Sequence, residues 1–223
     1  MPLRAVPWRG GLNNIDFTLY LIADTENIQK NLIPSVRKAI DGGVTAVQLR
    51  GKNLSARELL RRGEKLRRLT DERSVKLFVN DRIDVAMALD ADGIHLGQGS
   101  LPVTSVRKIS GGRFIIGVST HNLIEAREAE AGGADFITFG PVFETPSKLA
   151  FGPPVGLRKL ANATRELRIP VFAIGGIKIK DIKGVMESRA RGVAVISAIL
   201  SSKSVHAAAV GMFEELRLWG SGI

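Results

Sequence analysis

Residues 171–197 read VFAIGGIKIKDIKGVMESRARGVAVIS, and this stretch carries the unit from which the rest of the chain is built. Val171 to Ile174 is a short, wholly apolar run with a β-branched residue at each end, as a strand covered on both faces requires. Gly175-Gly176 stops it. Ile179, Ile182, Val185 and Met186 then recur at helical spacing, which predicts a helix from Ile179 to Glu187. Ser188-Arg-Ala-Arg-Gly192 turns the chain back, and Val193 to Ser197 is a second apolar run. A strand, a helix and a second strand of this kind form a parallel βαβ unit with a right-handed crossover.

The same alternation extends in both directions. Apolar runs stand at Phe17–Ala23, Ala46–Leu49, Lys76–Val79, Gly93–Leu96, Phe114–Val118 and Phe136–Phe139, which with the two above makes eight. Between them, amphipathic segments predict helices at Ile28–Ile40, Ala56–Leu69, Ile83–Leu89, Val103–Ile109, Leu123–Ala131 and Gly156–Leu167. Ser55 with Glu58 reads as a capping box and Asn122 as an N-cap. Four helix-to-strand joints are alike, at Asp41-Gly-Gly, Asp90-Ala-Asp-Gly93, Gly132-Gly133 and Arg189-Ala-Arg-Gly192, and in each a glycine is expected to leave the helix in the left-handed conformation. Eight units in 223 residues predict an α/β fold, a single-domain parallel (β/α)8 TIM barrel spanning 17–223, with Val205–Leu218 as a closing helix. No Gly-x-Gly-x-x-Gly follows the first strand, which disfavours a dinucleotide-binding open sheet. Residues 1–16 read as an N-terminal extension, since Pro2, Pro7 and Gly10-Gly11 interrupt any apolar stretch of the kind a secretory signal needs.

Composition narrows the partners. There is no cysteine, so disulfides, thiolate metal sites and a cysteine nucleophile are excluded, and a cytoplasmic location is expected. No apolar run approaches the roughly 20 residues that cross a bilayer, so no membrane partner is expected. The formal charge of +10 attracts anions. Much of it rides on Arg57, Arg61, Arg62, Lys65, Arg67 and Arg68, interleaved with Leu59, Leu60, Leu66 and Leu69, which is the pattern of a solvated helix face. Aromatics are only 5%, too few for the stacking surface of a single-strand binder, so no nucleic-acid partner is expected; a homo-oligomer stays open.

In a parallel barrel the chemistry sits where the strands end. Strand two ends Gln48-Leu-Arg50-Gly-Lys52; alternation turns Gln48 and Arg50 to the same side, the lumen, and two cations at one strand end suit a diphosphate. Asn80-Asp81 follows strand three, offering either a carboxylate for a Mg2+-bound diphosphate or a cap for the next helix. His95 reads as a core histidine. Ser119 and His121 follow strand five, and Thr145, Ser147 and Lys148 lie in a long loop after strand six. Gly175-Gly176 and Ile196-Ser197, after strands seven and eight, form a phosphate cradle of backbone amides.

The ordered set Gln48-Leu-Arg-Gly-Lys52, Val79-Asn-Asp-Arg82, Gly93-Ile-His-Leu-Gly-Gln98, Gly117-Val-Ser-Thr-His121, Gly140-Pro-Val-Phe-Glu-Thr-Pro-Ser-Lys148, Ala173-Ile-Gly-Gly-Ile177 and Val195-Ile-Ser197 resembles the thiamine-phosphate synthase family over roughly Leu19 to Leu200. The resemblance implies coupling of 4-amino-2-methyl-5-(diphosphooxymethyl)pyrimidine with thiazole (carboxylate) phosphate, with diphosphate leaving first and a pyrimidine-methyl cation as intermediate. It implies that Gln48, Arg50, Lys52 and Asn80 bind the pyrimidine diphosphate with Ser119 nearby, and that Thr145, Ser147, Lys148, Gly175 or Gly176, Ile196 and Ser197 bind thiazole phosphate. Arg50, Lys52, Ser119, His121 and Lys148 are the candidate catalytic groups. Mg2+ is the implied cofactor, at Asp81 and at the position of Ser100, where the family pattern usually has a second aspartate. That departure keeps open a related thiazole tautomerase, with His121 as its acid and base, and a non-catalytic barrel that binds phosphorylated ligands.

Overall fold

Each apolar run forms a strand, and each strand hydrogen-bonds its successor in parallel register until the eighth returns to the first. The computed structural model describes residues 15–25, 32–145 and 153–220. The strands are β1 (Leu19–Asp24), β2 (Ala46–Arg50), β3 (Lys76–Asn80), β4 (Gly93–Leu96), β5 (Ile115–Thr120), β6 (Phe136–Phe139), β7 (Val171–Ile174) and β8 (Gly192–Val195). They close as β1-β2-β3-β4-β5-β6-β7-β8. The helices are α1 (Leu32–Asp41), α2 (Ala56–Glu72), α3 (Ile83–Ala88), α4 (Val103–Ser110), α5 (Leu123–Ala131), α6 (Gly156–Glu166), α7 (Ile182–Glu187), α8 (Ser197–Leu200) and α9 (Val205–Gly220). The early part of the first expected helix, before Leu32, and the extension through residue 14 lie outside the described residues.

Two apolar assemblies hold this arrangement. The larger lies between sheet and helices, where Leu21, Val47, Leu49, Val79, Ile116, Ile137 and Val193 meet Val36, Leu66, Val106, Leu160 and Val185. The smaller fills the lumen: Phe17, Tyr20, Phe78, Phe136 and Phe172 pack largely edge to face, with ring centroids 5.0–6.4 Å apart. Ile15, from the segment read as extension, is buried in the same cluster, and its carbonyl accepts a hydrogen bond from Arg191 at 2.9 Å. The lumen is therefore plugged by rings on the side away from the strand ends, and the buried polar side chains Gln48 and His95 lie toward the other mouth.

The expected caps form. Ser55 Oγ accepts from the Glu58 backbone while Glu58 reaches back to Ser55, and Asn122 Oδ1 accepts from the Glu125 backbone at 3.0 Å. The explanation of the joints needs correcting. Gly43 and Gly133 do take positive φ, but at the other two joints the left-handed residue is Asp90 (φ +50°) or Arg189 (φ +59°). Gly93 and Gly192 instead open strands where a neighbour leaves no room. A Cβ on Gly93 would lie 2.4 Å from the Phe78 ring, and one on Gly192 would lie 2.0 Å from the Thr18 carbonyl oxygen. Gly192→Ala is accordingly expected to destabilise the barrel by about 1–3 kcal/mol through overpacking, read as a lower urea midpoint with an unchanged slope. A wild-type midpoint would show that β1 and β8 can move apart freely.

Candidate active site

Register decides which side chains meet inside the mouth. Ile22 pairs with Gln48 and Asp24 with Arg50 across β1 and β2, so the inward parity read for Gln48 and Arg50 brings Asp24 in as well. Asp24, 3% exposed, forms an ion pair with the Arg50 guanidinium. A lumen arginine needs an anionic partner to offset its desolvation, and here the chain provides one itself. Gln48 is 1% exposed and its Nε2 donates to Tyr20 Oη at 2.9 Å. Lys52, just past the strand, is exposed and has no ion pair among the described residues.

Next to it, β3 ends on Asn80, and Asp81 takes φ +58°, a conformation uncommon outside glycine. Its side chain does not cap α3, whose N-cap is Arg82 without a side-chain bond, so the capping alternative is set aside. The carboxylate turns instead to its neighbours: Asn80 Nδ2 donates to Oδ2 at 2.6 Å, Gly97 N to Oδ1 at 3.2 Å, and the Ser100 hydroxyl also donates to Oδ1. Asp81 and Ser100 thus touch although 19 positions apart. No group of three or more acidic, histidine or cysteine side chains that could hold a metal occurs among the described residues. A carboxylate, a hydroxyl and an amide are all hard oxygen donors, too few for a protein cage. They fit a Mg2+ that brings most of its ligands as water and substrate phosphate.

Beneath these groups lies a neutral polar floor. His95 is 2% exposed; burial lowers its pKa to about 4, against a smaller opposing pull from the Asp81 carboxylate. Burial likewise raises the Tyr20 hydroxyl pKa, partly offset by the Gln48 hydrogen bond. His95 Nε2 sits 3.0 Å from Ser119 Oγ, and Gln98 Nε2 donates to the Ser119 carbonyl at 2.7 Å. His95 was expected to be a core histidine, and it is buried, but both its ring nitrogens contact hydroxyls.

On the remaining side, His121 Nδ1 lies 3.1 Å from Glu125 Oε2, the same carboxylate oxygen that accepts the His121 backbone N–H at 2.8 Å. Gly175 (φ +96°) and Gly176 (φ +69°) follow β7 under the segment from Pro141 to Glu144, whose Val142 and Phe143 amides donate to Ile174 and Gly175 carbonyls at 2.8 and 3.0 Å. A Cβ on Gly176 would come within 2.4 Å of the Glu144 carbonyl oxygen. The expected end of strand eight is corrected: β8 stops at Val195, Ile196 turns with ψ −85°, and exposed Ser197 opens α8. Thr145 is half-buried; Ser147 and Lys148 lie outside the described residues. Tyr20, Asp24 and Thr138 were not anticipated, though the period-two set Tyr20, Ile22, Asp24 in the first strand was the available signal.

Known proteins resemble this chain in sequence and in fold. A protein of Geobacter sulfurreducens, provisionally named a thiamine-phosphate synthase, is 50% identical over 188 residues, covering 84% of this chain and 88% of its own. The thiamine-phosphate synthase of Syntrophomonas wolfei is 44% identical over 193 residues, 86% of this chain and 92% of its own. Among solved structures, the thiamine phosphate pyrophosphorylase of Pyrococcus furiosus superposes with a TM-score of 0.84 at 38% identity, covering 91% of this chain and 96% of that one. The family model described as thiamine monophosphate synthase matches residues 19–199, from the first residue of β1 into α8, and the chain belongs to that family.

Proposed function

We propose that the protein is a thiamine-phosphate synthase, a transferase that joins the pyrimidine diphosphate to thiazole (carboxylate) phosphate and releases diphosphate, together with carbon dioxide where the thiazole carries the carboxylate. The observation that carries this reading is the end of β2, where Gln48 and Arg50 face the lumen and exposed Lys52 follows, beside the Asp81–Ser100 pair at the ends of the neighbouring strands β3 and β4. A diphosphate gripped on one side by cations and on the other by oxygen ligands suits bond ionisation. The methylene C–O bond breaks, the electron pair leaves with the diphosphate, and the pyrimidine-methyl cation accepts the lone pair of the thiazole nitrogen.

The main task of the protein in that reaction is to stabilise negative charge growing on the leaving group. Arg50 and Lys52 meet it as fork and point charge, while Gln48 and Asn80 hold and orient the pyrimidine diphosphate. Thr145, Ser147, Lys148, Gly176, Ile196 and Ser197 are assigned to thiazole phosphate. Asp81 and Ser100 would hold Mg2+, which supplies further positive charge to the diphosphate when bound. The contact between His121 and Glu125 also suits an acid–base residue of a tautomerase, but it completes the cap of α5, and that chemistry has no use for the grip on β2. A cytoplasmic setting without nucleic-acid partners goes with this reading, in which the cations of α2 are a solvated face.

The test is diphosphate release from the two substrates with Mg2+, against an EDTA control. Mg2+-dependent release with thiamine phosphate as product supports the synthase; none from folded protein moves the reading to the tautomerase. Ser100→Asp is expected to lower the half-saturating Mg2+ concentration on the order of tenfold by adding a second carboxylate. An unchanged Mg2+ titration would remove Ser100 from the metal site.

A further inference from the structure

Five side chains form a continuous hydrogen-bonded path across the floor of the mouth. Gln48 Nε2 donates to Tyr20 Oη at 2.9 Å; that hydroxyl lies 3.4 Å from His95 Nδ1; His95 Nε2 lies 3.0 Å from Ser119 Oγ; and Thr138 Oγ1 approaches the same Oγ at 3.5 Å. Gln48, Tyr20, His95 and Thr138 are buried, so water cannot substitute for a missing partner, whereas Ser119 is half-exposed to the mouth. The ring is given its seat: His95 pairs in register with Gly117, where a Cβ would fall 2.6 Å from His95 Nδ1 and 2.3 Å from the Phe136 ring. Tyr20 and Phe136 flank it at 5.8 and 5.7 Å between centroids.

The proton count gives this path a direction. A phenol has one proton. With the Gln48 amide donating to the Tyr20 oxygen, the phenol proton goes to His95 Nδ1. A neutral imidazole that accepts at Nδ1 carries its own proton on Nε2, which then donates to Ser119. Ser119 Oγ so accepts from His95 and from Thr138, and its single proton is left for whatever occupies the mouth. Gln98, which grips the Ser119 carbonyl, belongs to the loop that also carries Ser100, so this hydroxyl lies on the side of the mouth where the diphosphate is assigned.

We infer that the path runs one way, from Gln48 through Tyr20 and His95 to Ser119, and that Tyr20 and His95 are positioning residues that make the Ser119 hydroxyl a committed donor to an oxygen of the leaving diphosphate. This rests on the synthase reading for its ligand, but not for its direction. The opposite direction, with Ser119 donating to His95, leaves Ser119 with only acceptor capacity and makes it useless to a departing anion.

Direction is read first, without substrate, from the imidazole nitrogen resonances of 15N-labelled wild-type protein, which has 3 histidines, with His95 assigned by its loss in His95→Gln. The expected result is the Nε2–H tautomer; the Nδ1–H tautomer overturns the inference. The second measurement is kinetic. Tyr20→Phe frees the ring to reverse and is expected to lower kcat for diphosphate release about tenfold, the loss of roughly one hydrogen bond, with the KM for thiazole phosphate unchanged. His95→Gln, whose amide can accept at oxygen and donate at nitrogen, is expected to recover kcat to within about threefold of wild type. Wild-type kcat in a folded Tyr20→Phe protein overturns the inference, whereas wild-type protein that releases no diphosphate sinks the synthase reading and leaves the tautomer result standing.

Discussion

Lys52→Ala is expected to slow diphosphate release about 100- to 1000-fold, the cost of removing one preorganised charge from a leaving group, while the urea midpoint stays close to wild type. The two halves of this expectation come from the same observation. Lys52 is exposed past the end of β2 and has no ion pair among the described residues, so the fold does not depend on it and its charge is available to a ligand. Arg50 is the less clean target. Its guanidinium is already paired with Asp24, and its removal would take a charged partner from a carboxylate that is 3% exposed, mixing loss of rate with loss of stability. Steady-state release assays beside urea titrations separate the cases, and a folded Lys52→Ala protein that works at the wild-type rate would disprove the diphosphate grip.

The residues that were legible in sequence are those whose role is set by local period or local geometry. Fully apolar runs such as Phe136–Phe139 marked buried strands, Ser55 with Glu58 marked a helix start, and the alternation of Gln48 and Arg50 placed both in the lumen. What stayed hidden depends on neighbours far along the chain. Asp24 matters because register sets it beside Arg50, and Gly192 is glycine because Thr18 crosses over it, not because a helix ends there. Tyr20 and Thr138 read as ordinary members of apolar runs; only the pairing of β1 with β2 and of β5 with β6 brings their hydroxyls to Gln48 and Ser119. Asp81 could be read as a cap or a ligand until the loop carrying Ser100 was seen to fold onto it.

The buried ring of His95 carries the other large expected effect, on stability. In the folded chain its pKa is lowered to about 4, mainly by burial, whereas in the unfolded chain it takes the ordinary value of 6.5. Below pH 6.5 the unfolded chain therefore binds a proton that the folded chain refuses, and stability falls as the pH drops; below about 4 both states are protonated and this contribution stops changing. The full loss across that window is about 3 kcal/mol. Acid also weakens carboxylate contacts such as Asp84 with Arg82, which holds the Asp84 carboxyl below its usual range, so the absolute slope mixes several groups. The difference between wild type and His95→Gln isolates the ring, because the glutamine keeps a donor and an acceptor in the floor but does not titrate. Urea unfolding at intervals from pH 7 to pH 4 should show wild type losing about 3 kcal/mol more than the variant. Parallel curves would mean that the folded ring takes up its proton at the same pH as the unfolded one, so that burial does not hold it neutral and below pH 6.5 the floor carries one proton too many for the directed path to Ser119.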